Sequence, residues 1–384
     1  MTSGHKNHDE SQLKENWLFS PNEVSVVGGS QTAKNALIRR LMEVLSRDYR
    51  VGRAVNRDRK DTSRADQFAA AELLEREENG STYYTDAEPD FAVQGALFES
   101  CDLVVIDGGG YSDVPTIAVL DEPAESARRA SMDRVWNVVA WVGPRTVFAR
   151  FPEQPHPLFD PSDVEGIAAQ TLEVLRARAL DRPLYGLVLG GGQSARMGRD
   201  KAGLEYHGLP QVRYAVKALE AVCDRTFVSI RAERTNDPLF AGIPQIHDTF
   251  LGIGPMGGML SAFHAFPKAA WLVLGCDLPF VSPETLACLT AGRDPLKFAT
   301  AFARNDDGLP EPLCAIYEPS YRRRLLQFLA GGRTCPRKAL INSRAKILTP
   351  NYDWELDNVN EPADYERAVG RLAVAGGQQR RRRR

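Results

Sequence analysis

Short apolar runs alternate with stretches of helical period along most of the chain. In the first half Val24–Val27, Val51–Val55, Cys101–Asp107 and Val138–Val142 read as strands. Helical stretches run from about Thr32 to Leu45 and from about Ser162 to Ala179. The second half opens with the apolar run Tyr185–Leu189 and continues with a helix near Val212–Val222 and a strand Thr226–Ile230. Gln245–Asp248 reads as a strand end, and a glycine-rich loop, Gly252–Gly258, leads into a helix through Phe266. Trp271–Leu274 is fully apolar, and a final helix is expected near Pro362–Leu372. Strands alternating with helices predict parallel sheets covered by helices, an α/β class. A proline-rich segment, Phe151–Pro161, precedes the last helix of the first half, and Arg182-Pro183 reads as a linker.

The length of 384 residues sets a prior of two to three domains. The pattern narrows this to two, residues 17–181 and 184–374, with a polar, disordered N-terminus (1–16) and a basic, low-complexity, disordered tail (375–384). The formal charge of −2 hides a division. Residues 1–183 carry 21 Lys/Arg against 30 Asp/Glu, a net of −9, whereas residues 184–384 carry 27 against 20, a net of +7. Five of the latter positives are the run Arg380 to Arg384, so the remaining excess is only +2 and offers no broad basic face for nucleic acid. The six cysteines form no C-x-x-C pair and have no His at ligand spacing, which speaks against zinc and fits a reducing compartment. The N-terminus has no apolar signal region and no apolar run approaches 18 residues, so a cytoplasmic protein with no membrane contact is expected.

The candidate chemistry lies mainly in the second half. Leu189-Gly190-Gly191-Gly192-Gln193-Ser194-Ala195-Arg196-Met197-Gly198-Arg199-Asp200-Lys201 joins a strand to a helix. Glycines after a parallel strand let backbone N–H groups approach a polyphosphate, and Arg196 and Lys201 add fixed positive charge. Asp277 closes the apolar strand before Leu278-Pro279. A strand-terminal Asp is also an ordinary turn residue, but the carboxyl end of a buried strand is where open α/β sheets bind ligands. His207, His247 and His264 are isolated and read as packed or exposed, and Trp271 reads as core.

The loop L-G-G-G-x-S-x-R-M-G-x-D-K resembles the signature of the molybdenum cofactor guanylyltransferase (MobA) family, with Gly190 in place of the usual Ala. Three further motifs follow in family order: Gly254-Pro255-Met256-Gly257-Gly258, Leu274-Gly275-Cys276-Asp277-Leu278-Pro279, and Asp357-Asn358-Val359-Asn360-Glu361-Pro362-Ala363-Asp364. The resemblance implies a Rossmann-like nucleotidyltransferase sheet over residues 184–372. It further implies that Leu189, Gly190, Gly191 and Gly192 contact a nucleotide through the backbone, and that Lys201 pairs with phosphate. Asp248 would lie at the nucleotide, Asp277 would hold Mg²⁺, and Asn358 and Asn360 would lie on the metal and acceptor side. The implied substrates are GTP and Mo-molybdopterin, with other molybdenum-cofactor proteins as partners. The implied catalytic set is Arg196, Lys201 and Asp277. Where the family carries Asn near the end of its second strand, this chain has Ser229-Ile230-Arg231.

In the first half Gly28-Gly29-Ser30-Gln31-Thr32-Ala33-Lys34-Asn35 has Walker A spacing. Ala33 replaces the second Gly, and Asn35 replaces the hydroxyl that would hold Mg²⁺. Asp107, after the strand Leu103–Ile106, is placed like a Walker B carboxylate. This order resembles MobB, and it implies a degenerate P-loop NTPase-like domain that retains the fold, or binds nucleotide without turnover through Lys34 and the loop amides. Asn56-Arg57-Asp58-Arg59-Lys60-Asp61 stands where that family is rich in His and Lys. Two alternatives to guanylyl transfer stay open: a nucleotidyltransferase of the same fold using CTP or a sugar-phosphate acceptor, and a non-catalytic protein that binds or delivers the cofactor.

Overall fold

The computed structural model describes residues 22–55, 72–77, 80–85, 97–108, 113–121, 137–148, 157–191, 200–304 and 306–382. The chain divides into two compact units, Met1–Ala177 and Arg178–Arg384.

The first unit is built on β1 (Glu23–Gly28), α1 (Gln31–Leu45), β2 (Val51–Val55), a β3–β4 hairpin (Glu72–Glu77 and Gly80–Thr85) and β5 (Leu103–Asp107). It continues with β6 (Thr116–Val119), β7 (Val138–Val142), α2 (Arg145–Phe148), β8 (Leu158–Phe159) and α3 (Val164–Leu180), the last of which crosses the division. The main sheet has the order β2-β5-β1-β6-β7-β8, and every pair in it is parallel. A parallel sheet with crossover helices is covered on both faces, so its central strands carry near-continuous apolar runs. β5 and β7 are buried along their whole length. Helix α1 turns Leu37, Ile38, Leu41 and Leu45 inward, at the i, i+1, i+4, i+8 spacing of one helical stripe. Its N-cap is Ser30, whose hydroxyl accepts a hydrogen bond from the Ala33 amide.

The second unit runs through β9 (Leu184–Leu189), α4 (Gln211–Glu220), β10 (Arg225–Ile230), β11 (Gln245–His247), α5 (Pro255–Ala265), β12 (Ala270–Gly275) and α6 (Pro283–Ala291). It ends with β13 (Ala299–Ala303), β14 (Pro310–Tyr317), α7 (Tyr321–Ala330), α8 (Pro336–Ile341), β15 (Lys346–Leu348) and α9 (Pro362–Arg382). The sheet order is β11-β10-β9-β12-β14-β13-β15, with β14 antiparallel to both of its neighbours. β14 is therefore the reversed strand of this sheet, and β13 and β15 again pair in parallel. A short loop with Gly308 at φ 68° reverses the chain between β13 and β14, and a connection that short can only join antiparallel strands. Helix α9 continues to Arg382, past the Gly376-Gly377 pair, where composition alone reads as a disordered tail. Once a helix is nucleated, each added residue fixes few dihedrals, and Ala, Gln and Arg propagate it well.

Alternate residues of the strands feed two cores. Val188, Val228, Ile230, Leu272 and Leu274 pack with Val212 and Leu219 of α4 and Leu286 and Leu289 of α6. Leu187, Phe227, Trp271 and Val273 pack on the other face with Met259 and Phe263 of α5 and Tyr321 and Leu325 of α7. Leu272→Ala is expected to cost about 2–5 kcal/mol in urea unfolding of the full chain. Leu326→Ala, at a position 36% exposed, is expected to stay within about 0.5 kcal/mol.

Candidate functional site

Strands β10 and β11 lie on one side of β9, and β12 lies on the other. This reversal of strand order makes a crevice at the carboxyl ends of β9 and β12, the place where open α/β sheets take ligands. The register pairs Gly275 with Leu189, so Gly190-Gly191 and Cys276-Asp277 leave the sheet side by side.

Gly190 is required by contact. The Gly190 amide donates to Ser229 O at 3.1 Å. A Cβ on Gly190 would lie 2.8 Å from Val228 Cγ2 and 3.2 Å from the Phe240 ring. A Cβ on Gly191 would stand 3.4 Å from Asp248 Oδ2, so that carboxylate lies directly against the loop backbone. Gly192 and Arg196 fall outside the described residues, as does Arg199.

The chain returns at Asp200, whose Oδ1 accepts from the Ala202 amide at 3.1 Å and caps the turn Lys201–Gly203. Its Oδ2 accepts from Arg234 Nη2 at 2.6 Å. Arg234 also donates to Asp237 Oδ2 at 2.6 Å and to the carbonyl of Gly190 at 3.4 Å. One guanidinium thus ties together both ends of the glycine loop. No motif points to Arg234, because its partners in the loop's flanks are 34 and 44 residues away.

Lys201 Nζ donates to Asn360 Oδ1 at 2.6 Å, which joins the end of the first motif to the last. The Val359 amide donates to Asp277 O at 2.8 Å. Asn358, Asn360, Lys201 and Asp277 are therefore brought together. The turn before them is anchored at two points. Glu355 Oε1 accepts from Thr285 Oγ1 at 2.6 Å and from Ser282 Oγ at 3.1 Å, and Arg304 Nη1 donates to Leu356 O at 3.3 Å. After them, Asp364 Oδ2 accepts the amides of Asn360 and Glu361, capping the start of α9.

Two buried oxygens in this group have no hydrogen-bond partner: Asp277 Oδ1 and Asn358 Oδ1. A Cβ on Gly275 would overlap that same Asp277 oxygen. Burial pushes the Asp277 carboxyl up from the ordinary carboxylate range, against the pull of Lys201. Among the described residues no group of three or more His, Cys, Asp or Glu could hold a metal ion.

On the β10 side, Ser229 Oγ donates to Asp248 Oδ1 at 2.5 Å, and the Asp248 amide donates to Ile230 O. A Cβ on Gly258 would collide with Ser229 Oγ, and one on Gly257 with Phe250 O, so the second glycine loop packs against the same serine. Ser229, in the stretch Ser229-Ile230-Arg231 where the resemblance leads one to expect Asn, is thus a polar partner of Asp248. Of the histidines, His207 stacks on Tyr214 at 3.7 Å and meets Pro279 O through Nε2 at 2.8 Å. His247 and His264 are exposed, and Trp271 is core.

Burial raises the Asp248 carboxyl, and the Ser229 hydrogen bond opposes that shift. A carboxyl raised in the fold binds its proton more tightly folded than unfolded, so its ionisation removes stability as pH climbs from the ordinary carboxyl value through the raised one. Asp248→Asn keeps the acceptor for Ser229 and lacks that ionisation. Measured by urea unfolding from about pH 4 to 7, the variant is expected to gain on the parent with rising pH and then level off. A difference independent of pH would contradict the assignment.

Residues 186–346 match the family described as the MobA-like NTP transferase domain. A molybdenum cofactor biosynthesis bifunctional protein of Synechocystis is 33% identical over 190 residues, 50% of this chain, and the chain spans only 55% of that relative's length. A probable molybdenum cofactor guanylyltransferase of Opitutus terrae is 34% identical over 197 residues, which cover 48% of this chain and 94% of the relative. The crystal structure of molybdopterin-guanine dinucleotide biosynthesis protein A from Archaeoglobus fulgidus covers 50% of this chain and 99% of its own, at 23% identity and a TM-score of 0.41.

Proposed function

Because the chain belongs to the MobA-like nucleotidyltransferase family, we propose that its second unit transfers GMP from GTP to Mo-molybdopterin with release of pyrophosphate. The observation that carries this reading is the convergence at the β9–β12 crevice. Gly190 and Gly191, the Lys201–Asn360 pair and the partnerless oxygens of Asp277 and Asn358 all meet there.

The acceptor's terminal phosphate attacks the α-phosphorus in line. A new P–O bond forms as the bond to the bridging oxygen breaks, and the electron pair leaves with pyrophosphate. A phosphate nucleophile is already anionic, so no general base is needed. The chain's contribution is positioning and charge. Leu189, Gly190, Gly191 and Gly192 hold the nucleotide through the backbone, with Asp248 alongside. Lys201 pairs with phosphate, and Arg196 is assigned to the transferred phosphoryl group by its place in the loop motif. Asp277 Oδ1 and Asn358 Oδ1 are hard oxygen donors and fit Mg²⁺, which is commonly held by one or two carboxylates together with substrate phosphates. When bound, Mg²⁺ would neutralise charge on the phosphoryl oxygens. Asn360 fixes the Lys201 ammonium at 2.6 Å on the acceptor side.

The first unit supports a P-loop-like reading of the MobB kind. Gly28 ends β1 and Gly29 follows it, at φ 78° and 58°, leading into α1, and Asp107 ends the neighbouring parallel strand. Such a fusion fits a cytoplasmic protein working on small-molecule substrates alongside other molybdenum-cofactor proteins. Among the described residues no helix is long and apolar enough to cross a membrane.

Purified chain supplied with Mo-molybdopterin and Mg²⁺ is expected to consume GTP and release pyrophosphate. Asp277→Asn is expected to lower turnover by about 100-fold or more, the scale seen when one group stabilising a transition state is removed. Preferential consumption of CTP would replace GTP in the assignment, and unchanged turnover in Asp277→Asn would remove Asp277 from it.

A further inference from the structure

The P-loop-like end of the first unit carries charges of both signs in close contact. Arg53 Nη2 donates to Asp107 Oδ2 at 2.7 Å and to Asn35 Oδ1 at 2.6 Å. These two acceptors stand where a P-loop protein holds its divalent ion, between the strand-end carboxylate and the helix residue after the lysine. Gln31 Nε2 joins the same pair, at 3.2 Å from Asp107 Oδ2 and 3.3 Å from Asn35 Oδ1. The other Asp107 oxygen faces Lys34 Nζ at 3.4 Å. Asp107 is 2% exposed, and despite that burial Arg53 and Lys34 hold its carboxyl below the ordinary range. An Mg²⁺ ion does not fit here: its position is taken by a cation that is covalently part of β2.

The anion side is filled as well. The Ser30 amide, at the mouth of the glycine turn, donates to Asp121 Oδ2 at 2.7 Å. A Cβ on Gly29 would stand 3.5 Å from the other oxygen of that carboxylate. The amide at a helix start is where a loop of this kind receives phosphate oxygen. Lys34 and Arg53 against Asp107 and Asp121 sum to zero, so these four groups compensate one another.

We propose that this loop is internally liganded, with Arg53 standing for the divalent cation and Asp121 for a phosphate. The first unit therefore folds and persists without nucleotide or Mg²⁺. Arg53 and Asp121, more than the altered residues at Ala33 and Asn35, keep a Mg²⁺–nucleoside triphosphate out. The inference rests on the P-loop-like reading of this unit and is separable from the transferase reading of the other.

The test is equilibrium dialysis of the full chain against a non-hydrolysable GTP analogue, with Mg²⁺ or with EDTA. The wild-type chain is expected to bind one equivalent, at the second unit. The folded double variant Arg53→Ser/Asp121→Ser is expected to bind one more, and only with Mg²⁺. If the transferase reading fails, the wild-type count is zero and the variant count one, so the increment still reports on this loop. A second Mg²⁺-dependent equivalent in the wild-type chain overturns the proposal, and that measurement needs no variant. A double variant with native circular dichroism and no increment overturns it too.

Discussion

The parallel pairing of β12 with β9 is the constraint on which the second unit's crevice depends. With Gly275 opposite Leu189, two chain segments leave the sheet at the same height. One needs glycine because Val228 and Phe240 crowd it, and the other needs Gly275 so that the Asp277 carboxylate can fold back. A shift of one residue would turn Trp271 and Val273 away from their core and Leu272 and Leu274 from theirs, so burial on both faces holds the register. The packing that stabilises the sheet is therefore also what aligns the glycine turn with the carboxylate.

The two units treat an equivalent carboxylate in opposite ways. Asp107 and Asp277 each end, or follow directly on, a strand parallel to the first strand of its unit. Asp107 Oδ2 accepts from Arg53 and Gln31, and its buried Oδ1, which makes no hydrogen bond, faces Lys34 at 3.4 Å, so two cations hold its charge in place. Asp277 keeps one buried oxygen without a hydrogen bond, and burial works against its charge. A buried carboxylate without full compensation costs stability, and such groups concentrate at functional sites. The first arrangement is structural and the second is one that a cation and a phosphate would complete.

The charge division along the chain also resolves into local contacts. The acidic first half spends two of its carboxylates on the glycine turn and its cations. In the second half the cations that count are individually placed: Arg234 across the loop's flanks and Lys201 against Asn360. Neither acts as part of a broad field, and the arginine run at the end of α9 stands apart from both in sequence.

The sequence by itself determined the alternation of elements, the two-unit organisation of glycine turns after first strands, and four motifs that resemble those of a nucleotidyltransferase family. These were legible because strand and helix periods and glycine turns are local properties. Only the tertiary structure decided that β14 runs antiparallel, that Ser229 holds Asp248, that Arg234 clamps the loop's flanks, and that Arg53 closes on Asp107. Each of those contacts joins residues 19 to 54 positions apart. A lone Arg or Ser in a strand carries no signal of its partner, because what selects the partner is the need to compensate a buried charge, and burial exists only once the sheet has formed.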